Sequence, residues 1–223
     1  MLSPVYEYVQ SALKAFQPTN NAMLFELFNL RPPLLAVHKR EARPAEQEKL
    51  PVCTDSVQRS VRSQKAVIDS VVVFFQERIT HFCQSHGLHP VNLSVCLCEA
   101  LANAIIHGNL EVPSALKEAC WEEFEALIRE RESLPEFAER QVTIRCDMTL
   151  EALRLEITDQ GRGFDVAKFR RAQLEQHAAA EHEHNPAILQ SGRGLHIIIA
   201  LMDAVFWNDT GNRITMIKSL RRV

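Results

Sequence analysis

Residues 98–109 read CEALANAIIHGN. They continue an apolar run: from Val95 to Ile106 the chain is VCLCEALANAII, in which ten of twelve residues are apolar and only Glu99 and Asn103 are polar. A run of this length and composition predicts a buried helix. At about 100° per residue, Glu99, Asn103 and His107 are successive i, i+4 neighbours and fall within about 80° of one face. Such a stripe is not the broad solvated face of an amphipathic helix, and burying an unpaired carboxylate costs several kcal/mol. Something polar is expected to meet it.

Working outward, Ile68, Val71, Val72, Phe75, Ile79 and Phe82 recur at spacings of three and four and predict a helix from about 58 to 85, with a left-handed cap near Gly87. Residues 114–133, rich in Glu and Arg, read as a surface helix in an insertion spanning 110–140. The period then changes to two. QVTIRCDM (141–148) and ALRLEIT (152–158) alternate around a short turn and predict an antiparallel hairpin. AVFWND and RITMIKSL flank DTGN as a second hairpin, preceded by a short helix over about 194–203. Helices first and antiparallel strands later predict an α+β fold with helices on one face of a sheet. Residues 1–50 differ from the rest: two short helical segments (about 5–16 and 21–30) lead into a charged, proline-bearing linker, giving an N-terminal extension before a domain at 51–223.

Composition narrows the function. The 223 residues are 46% hydrophobic and 24% charged with a formal net charge of −3, an ordinary globular balance without the basic field that recruits nucleic acid or anionic lipid. The longest apolar runs fall short of the roughly 20 residues of a membrane span, and no signal-peptide pattern opens the chain, so a cytoplasmic protein is expected. Six cysteines, at 53, 83, 96, 98, 120 and 146, lack paired metal-ligand spacing and are expected as buried free thiols.

Glycine is scarce, seven in all, yet Gly108, Gly161, Gly163, Gly192 and Gly194 all fall at element boundaries. In LEITDQGRGFD, a strand ends at Asp159 beside two glycines, a place where a carboxylate could accept from the exocyclic amine of a flat base; Asp and Gly are equally common in plain turns. In QSGRGLHIIIALMD, Gly192, Arg193 and Gly194 open a helix whose free N–H groups and dipole favour an anion, or form an ordinary cap. The spacing fits neither a Walker loop nor a Rossmann fingerprint.

The order E-x-x-x-N-A-x-x-H-G-N, then D-x-G-x-G-F, then G-x-G-L before a helix and closing hairpin resembles the three nucleotide boxes of the GHKL ATP-binding superfamily, from about residue 58 to 221. Within it, the NAIIHGN ending resembles the anti-sigma-factor serine/threonine kinases of bacterial partner switching. The resemblance implies a two-layer α/β sandwich of the Bergerat type with a mixed, mostly antiparallel sheet, and ATP with Mg²⁺ as cofactors. It implies Glu99 as general base, Asn103 as Mg²⁺ ligand and Asp159 as the adenine-binding residue. Gly161, Gly163, Gly192 and Gly194 match the glycines of the nucleotide loops, with Arg193, Leu195 and His107 beside them and residues 165–191 as the ATP lid. The implied partners are a small STAS-like antagonist protein and a sigma factor or other regulator, compatible with a homodimer, without nucleic acid or membrane.

Local readings compete with some of these roles. A histidine at a helix end, such as His107, more often caps or packs; the histidines at 177, 182 and 184 suit a solvated loop better than a metal tract; Trp207 suits sheet packing. Relatives often carry Arg near the position of Gln190, and here the nearest lid-end cation is Arg193. The functional expectation is therefore a protein serine/threonine kinase, with an ATP-dependent binding switch that transfers no phosphate as the alternative.

Overall fold

The computed structural model describes residues 55–86, 90–172 and 193–219. Its chain begins with strand β1 (Asp55–Arg62), followed by helix α1 (Val67–His86) and helix α2 (Pro90–Ala102). The helix does not end there: Asn103–Asn109 continues it as a π-helical turn. Three short helices fill the insertion, α3 (Ser114–Ala119), α4 (Trp121–Ser133) and α5 (Pro135–Ala138). Strands β2 (Gln141–Met148) and β3 (Ala152–Thr158), helix α6 (Arg193–Leu201), and strands β4 (Ala204–Trp207) and β5 (Arg213–Ser219) complete the described fold.

The five strands form one sheet in the order β1-β2-β3-β5-β4, antiparallel at every pairing, the limiting case of the mostly antiparallel sheet expected. Both predicted hairpins form. In β2–β3, Ile144 pairs with Ile157 and Cys146 with Leu155, so the alternating apolar residues of both strands fall on one face. That face is buried under the helices, with Val142, Ile144, Leu153, Leu155, Ile157, Ile214 and Met216 in the core. The outer face carries polar pairs instead, such as Ser60 with Thr143 and Arg154 with Glu156.

Helix α2 packs against α1 on one side and α6 on the other and also reaches β3. This central position explains why Leu93, Val95, Cys96, Leu97, Cys98, Ala100 and Leu101 are all buried although together they ring the helix. The α1 stripe is buried as predicted, from Ile68 to Phe82.

The helix expected from residue 58 is corrected: 58–62 belong to β1 and the helix starts at Val67. β1 is an edge strand whose partly buried apolar residues, Val57 and Val61, are four apart, so alternation is absent from the sequence and pairing with β2 decides its state. The single helix expected at 114–133 is broken at Cys120, which is extended (φ −154°, ψ 110°), and it is not wholly superficial, because Phe124 and Ile128 are buried. Cys83, Cys96, Cys98, Cys120 and Cys146 are free thiols, and burial pushes Cys83 up to about 11 and Cys98 to about 12, which keeps both protonated. The segments expected at 5–16 and 21–30, the cap at Gly87, the histidines at 177, 182 and 184, Cys53, Gly192 and the lid from 173 onward lie outside the described residues. Among the described residues no helix is long and apolar enough to cross a membrane.

Candidate functional site

The quoted stretch changes helical type in its middle. The N–H of Leu110 donates to the Ile105 carbonyl at 2.9 Å, a bond spanning five residues, where an α-helix would span four. A wider turn advances fewer degrees per residue, so positions after Asn103 lag behind their α-helical places. Gly108 thereby comes against Asp159: a Cβ added to it would lie 2.6 Å from the carboxylate carbon. π-helical turns of this kind occur disproportionately at functional sites.

Asp159 follows the last residue of β3. Its backbone N–H donates to the Asn212 carbonyl at 2.9 Å, the Asn212 side-chain amide donates back to the Asp159 carbonyl at 3.0 Å, and its Oδ1 accepts the Gly161 N–H at 2.8 Å. Burial raises the carboxyl to about 6, against the opposing effects of the Gly161 N–H and the Arg140 charge. Gly161 has no room for a side chain, since a Cβ would strike the Gly108 carbonyl. Gly163 is held at φ +71° with the Thr210 carbonyl where a Cβ would stand. Gly163→Ala is therefore expected to cost about 2–4 kcal/mol through left-handed strain plus overpacking, read as a lower midpoint in urea unfolding. An unchanged midpoint would contradict this geometry.

Upstream on the same helix, Glu99 and Asn103 face the start of α6. A Cβ on Gly194 would collide with Glu99 Oε2 and stand 3.7 Å from Asn103 Nδ2. Two glycine boundaries far apart in sequence thus line one helix, Gly194 at Glu99 and Asn103, Gly161 at Gly108. Burial raises the Glu99 carboxyl, and the charge of Lys117 on α3 offsets part of this. The Asn103 amide nitrogen is buried without a hydrogen-bond partner among the described residues. A desolvated carboxylate beside an unsatisfied amide is an expensive arrangement unless a polar ligand completes it.

The other predicted residues divide. His107 Nδ1 lies 2.6 Å from the Val112 carbonyl, which it meets as a donor in the neutral ring, and the ring packs 6.3 Å from that of Phe124; burial lowers its pKa. It therefore caps and packs, the local reading of the sequence. Leu195 packs partly against the core. Arg162, between the two glycines of the Asp159 turn, is 87% exposed with its guanidinium 3.3 Å from Glu111. Trp207 joins Phe164 and Phe169, with ring centroids 6.2 and 5.6 Å away. Asp165 accepts the Lys168 N–H at 2.8 Å, capping a helical segment over 166–172 at the beginning of the expected lid.

The chain carrying this site matches a known family model. The histidine kinase-like ATPase domain model covers residues 44–218. The chain belongs to the histidine kinase-like ATPase domain family. This histidine kinase-like ATPase domain is of the GHKL type, an ATP-binding domain, and its α+β architecture with an open antiparallel sheet is the one observed. No curated protein matches the chain.

Asn109 was quoted in the sequence as the end of a box without a role. In the structure it is fully buried and hydrogen-bonded at both ends of its side chain, to Ser63 and to the Gln160 N–H. Arg140 joins it, donating to the Asn109 carbonyl and to Glu111, each at 2.8 Å. Only the identity of a buried Asn at a helix end hinted at this; its partners are far away in sequence.

Proposed function

We propose that this protein is an ATP-dependent serine/threonine protein kinase of the anti-sigma-factor type, phosphorylating a small STAS-like antagonist protein in a partner-switching pathway. The observation that carries the reading is Glu99, a desolvated carboxylate one helical turn from Asn103 and against Gly194. A pure nucleotide binder gains nothing from such a group, whereas a general base operating near neutrality is helped by a raised pKa.

In this reading Asp159 accepts the exocyclic amine of adenine, and Gly161 and Gly163 leave space for the base. The start of α6 around Gly194 supplies backbone N–H groups suited to the phosphates, and the Gly192-Arg193 sequence there, matching the family's nucleotide loop, adds a positive charge. Mg²⁺ neutralises charge on the transferred phosphoryl group when bound. Among the described residues no cluster of three or more His, Cys, Asp or Glu could hold a metal. The donor set instead suits an ion carried in by ATP, because Mg²⁺ prefers oxygen, keeps several waters and needs few protein ligands. Asn103 fits as that ligand through its amide oxygen, with its buried amide nitrogen unpaired before nucleotide arrives. Glu99 then orients the incoming hydroxyl and takes its proton.

Asn103→Ala is expected to weaken Mg²⁺-dependent ATP binding by about tenfold while leaving metal-free ADP binding nearly unchanged, since only the former uses the amide oxygen. Titrating Mg²⁺ against bound nucleotide checks this, and the same Mg²⁺ dependence in both proteins would make Asn103 merely a buried polar residue.

A second reading, an ATP-gated binding module without phosphate transfer, draws support from Gln190, which stands where relatives often carry an arginine. Incubation with γ-labelled ATP and STAS-like proteins encoded nearby separates the two. Label on a serine or threonine of such a protein supports the kinase. Intact ATP bound beside unmodified partners supports the switch.

A further inference from the structure

The turn that carries Asp159 is held from two sides. On the β5 side, Asn212 exchanges two hydrogen bonds with residue 159 itself. On the helix side, the Gln160 N–H donates to Asn109 Oδ1 at 2.6 Å, one residue beyond the carboxylate and one before Gly161. Asn109 is itself fixed: it has no solvent exposure, its Nδ2 donates to Ser63 Oγ at 2.8 Å, and its carbonyl accepts from Arg140 at 2.8 Å. Ser63, likewise buried, passes its own proton to the Arg140 carbonyl at 2.7 Å. Arg140 also closes the insertion by pairing with Glu111, whose φ of 52° sets the exit from the π-helical turn.

From this chain of contacts we infer that Asn109 is a positioning residue for nucleotide binding, holding the 159–161 turn at the distance from Gly108 that the carboxylate requires. The inference rests on the proposed adenine role of Asp159. Its physical basis is that Gly161 and Gly108 approach too closely for any Cβ between them, so the two backbones need a tether that sets their spacing without filling it. The Asn109 side chain does this from the helix while spanning to β1's end through Ser63. The two halves of its amide have separable effects. The Oδ1 half orders the Asp159 turn; the Nδ2 half secures the helix end to the loop after β1.

The distinguishing experiment compares Asn109→Ala with Ser63→Ala in the full chain, by ADP titration at a temperature where both are folded and by amide hydrogen exchange without nucleotide. Asn109→Ala is expected to expose the Gln160 amide to exchange and weaken ADP binding by about tenfold. Ser63→Ala, which loses the Nδ2 partner and the hydroxyl's bond to the Arg140 carbonyl but leaves Oδ1 on the Gln160 N–H, is expected to lower the unfolding midpoint yet keep Gln160 protected and ADP affinity within about twofold. A merely structural Asn109 would make both variants less stable and leave the affinity of the folded protein alone, which overturns the inference. If Asn109→Ala does not fold, the wild-type protein decides: a Gln160 amide exchanging as fast as exposed loop amides overturns the clamp, and strong protection before nucleotide is added supports it. Absence of ADP binding by the folded wild type, with Gln160 protected, overturns the adenine reading and this inference with it. ADP binding by the wild type that survives Asn109→Ala unchanged overturns this inference alone.

Discussion

Glu99→Gln is expected to bind ATP within about twofold of the wild type and to transfer phosphate about 10²- to 10⁴-fold more slowly. Glutamine keeps the length and much of the hydrogen-bonding capacity of the side chain, so its packing beside Gly194 is preserved. What it cannot do is accept the hydroxyl proton. Loss of fold is not a competing explanation, because the sign of the stability change runs the other way. Burial raises the Glu99 carboxyl, so the folded state holds its proton more tightly than the unfolded state does. The stability associated with that proton is present at low pH and is lost as pH rises from the unfolded pKa through the folded one. Wherever the carboxyl is ionised in the folded state the wild type carries the cost of a desolvated charge that glutamine lacks, and there the variant is expected to unfold at higher temperature. Single-turnover transfer with saturating ATP, alongside thermal unfolding, is the measurement. Transfer within tenfold of wild type would remove Glu99 as the base; a wild type that never transfers would leave only the switch reading.

How far the sequence revealed this site depends on the range of the interactions involved. The β2–β3 hairpin is legible because each strand alternates and one face of each is buried by the same helices, so local pattern and tertiary environment agree. β1 is not legible, since its partners on β2 lie about eighty or more residues away and its own residues, DSVQRSVR, fit a helix as well as a strand. Glu99 and Asn103 stand out as polar residues in an apolar run, a contrast that survives without knowing what faces them. The wide turn beyond Asn103 has no comparable signature. Assuming α-helical spacing placed His107 on the polar stripe, whereas the π-helical turn brings Gly108 to Asp159 and leaves His107 bonded to Val112. Asn109, Ser63, Arg140 and Gln160 meet only after the chain has folded, at separations of 31 to 77 residues, and no spacing rule reaches that far.

Asp159→Asn is expected to weaken ATP and ADP binding by about tenfold to a hundredfold, the loss of one charge-assisted hydrogen bond worth about 1.5–3 kcal/mol. The substitution keeps an oxygen for the Gly161 N–H and fits the space beside Gly108, so the turn survives and the loss falls on the nucleotide. pH supplies an independent check. Burial raises Asp159 from 3.8 to about 6, so its carboxylate is the minority form below that pH, and a base amine that needs an acceptor should lose affinity as pH falls through 6 in the wild type. The asparagine variant, with nothing to titrate there, should lack that step. Stability without nucleotide moves oppositely. The raised pKa means that the folded protein gains relative to the unfolded one when Asp159 is protonated, and loses this advantage as pH rises from about 4 through 6. Asp159→Asn should therefore be the more stable protein above pH 6, with the difference shrinking toward pH 4. Calorimetric titration with ADP at pH 5 and 7.5, paired with thermal unfolding at the same values, reads both effects. Equal ADP affinities at pH 7.5 would remove Asp159 from the adenine site. A stability gain in the variant without any loss of affinity would leave its buried carboxylate without the function that justifies its cost.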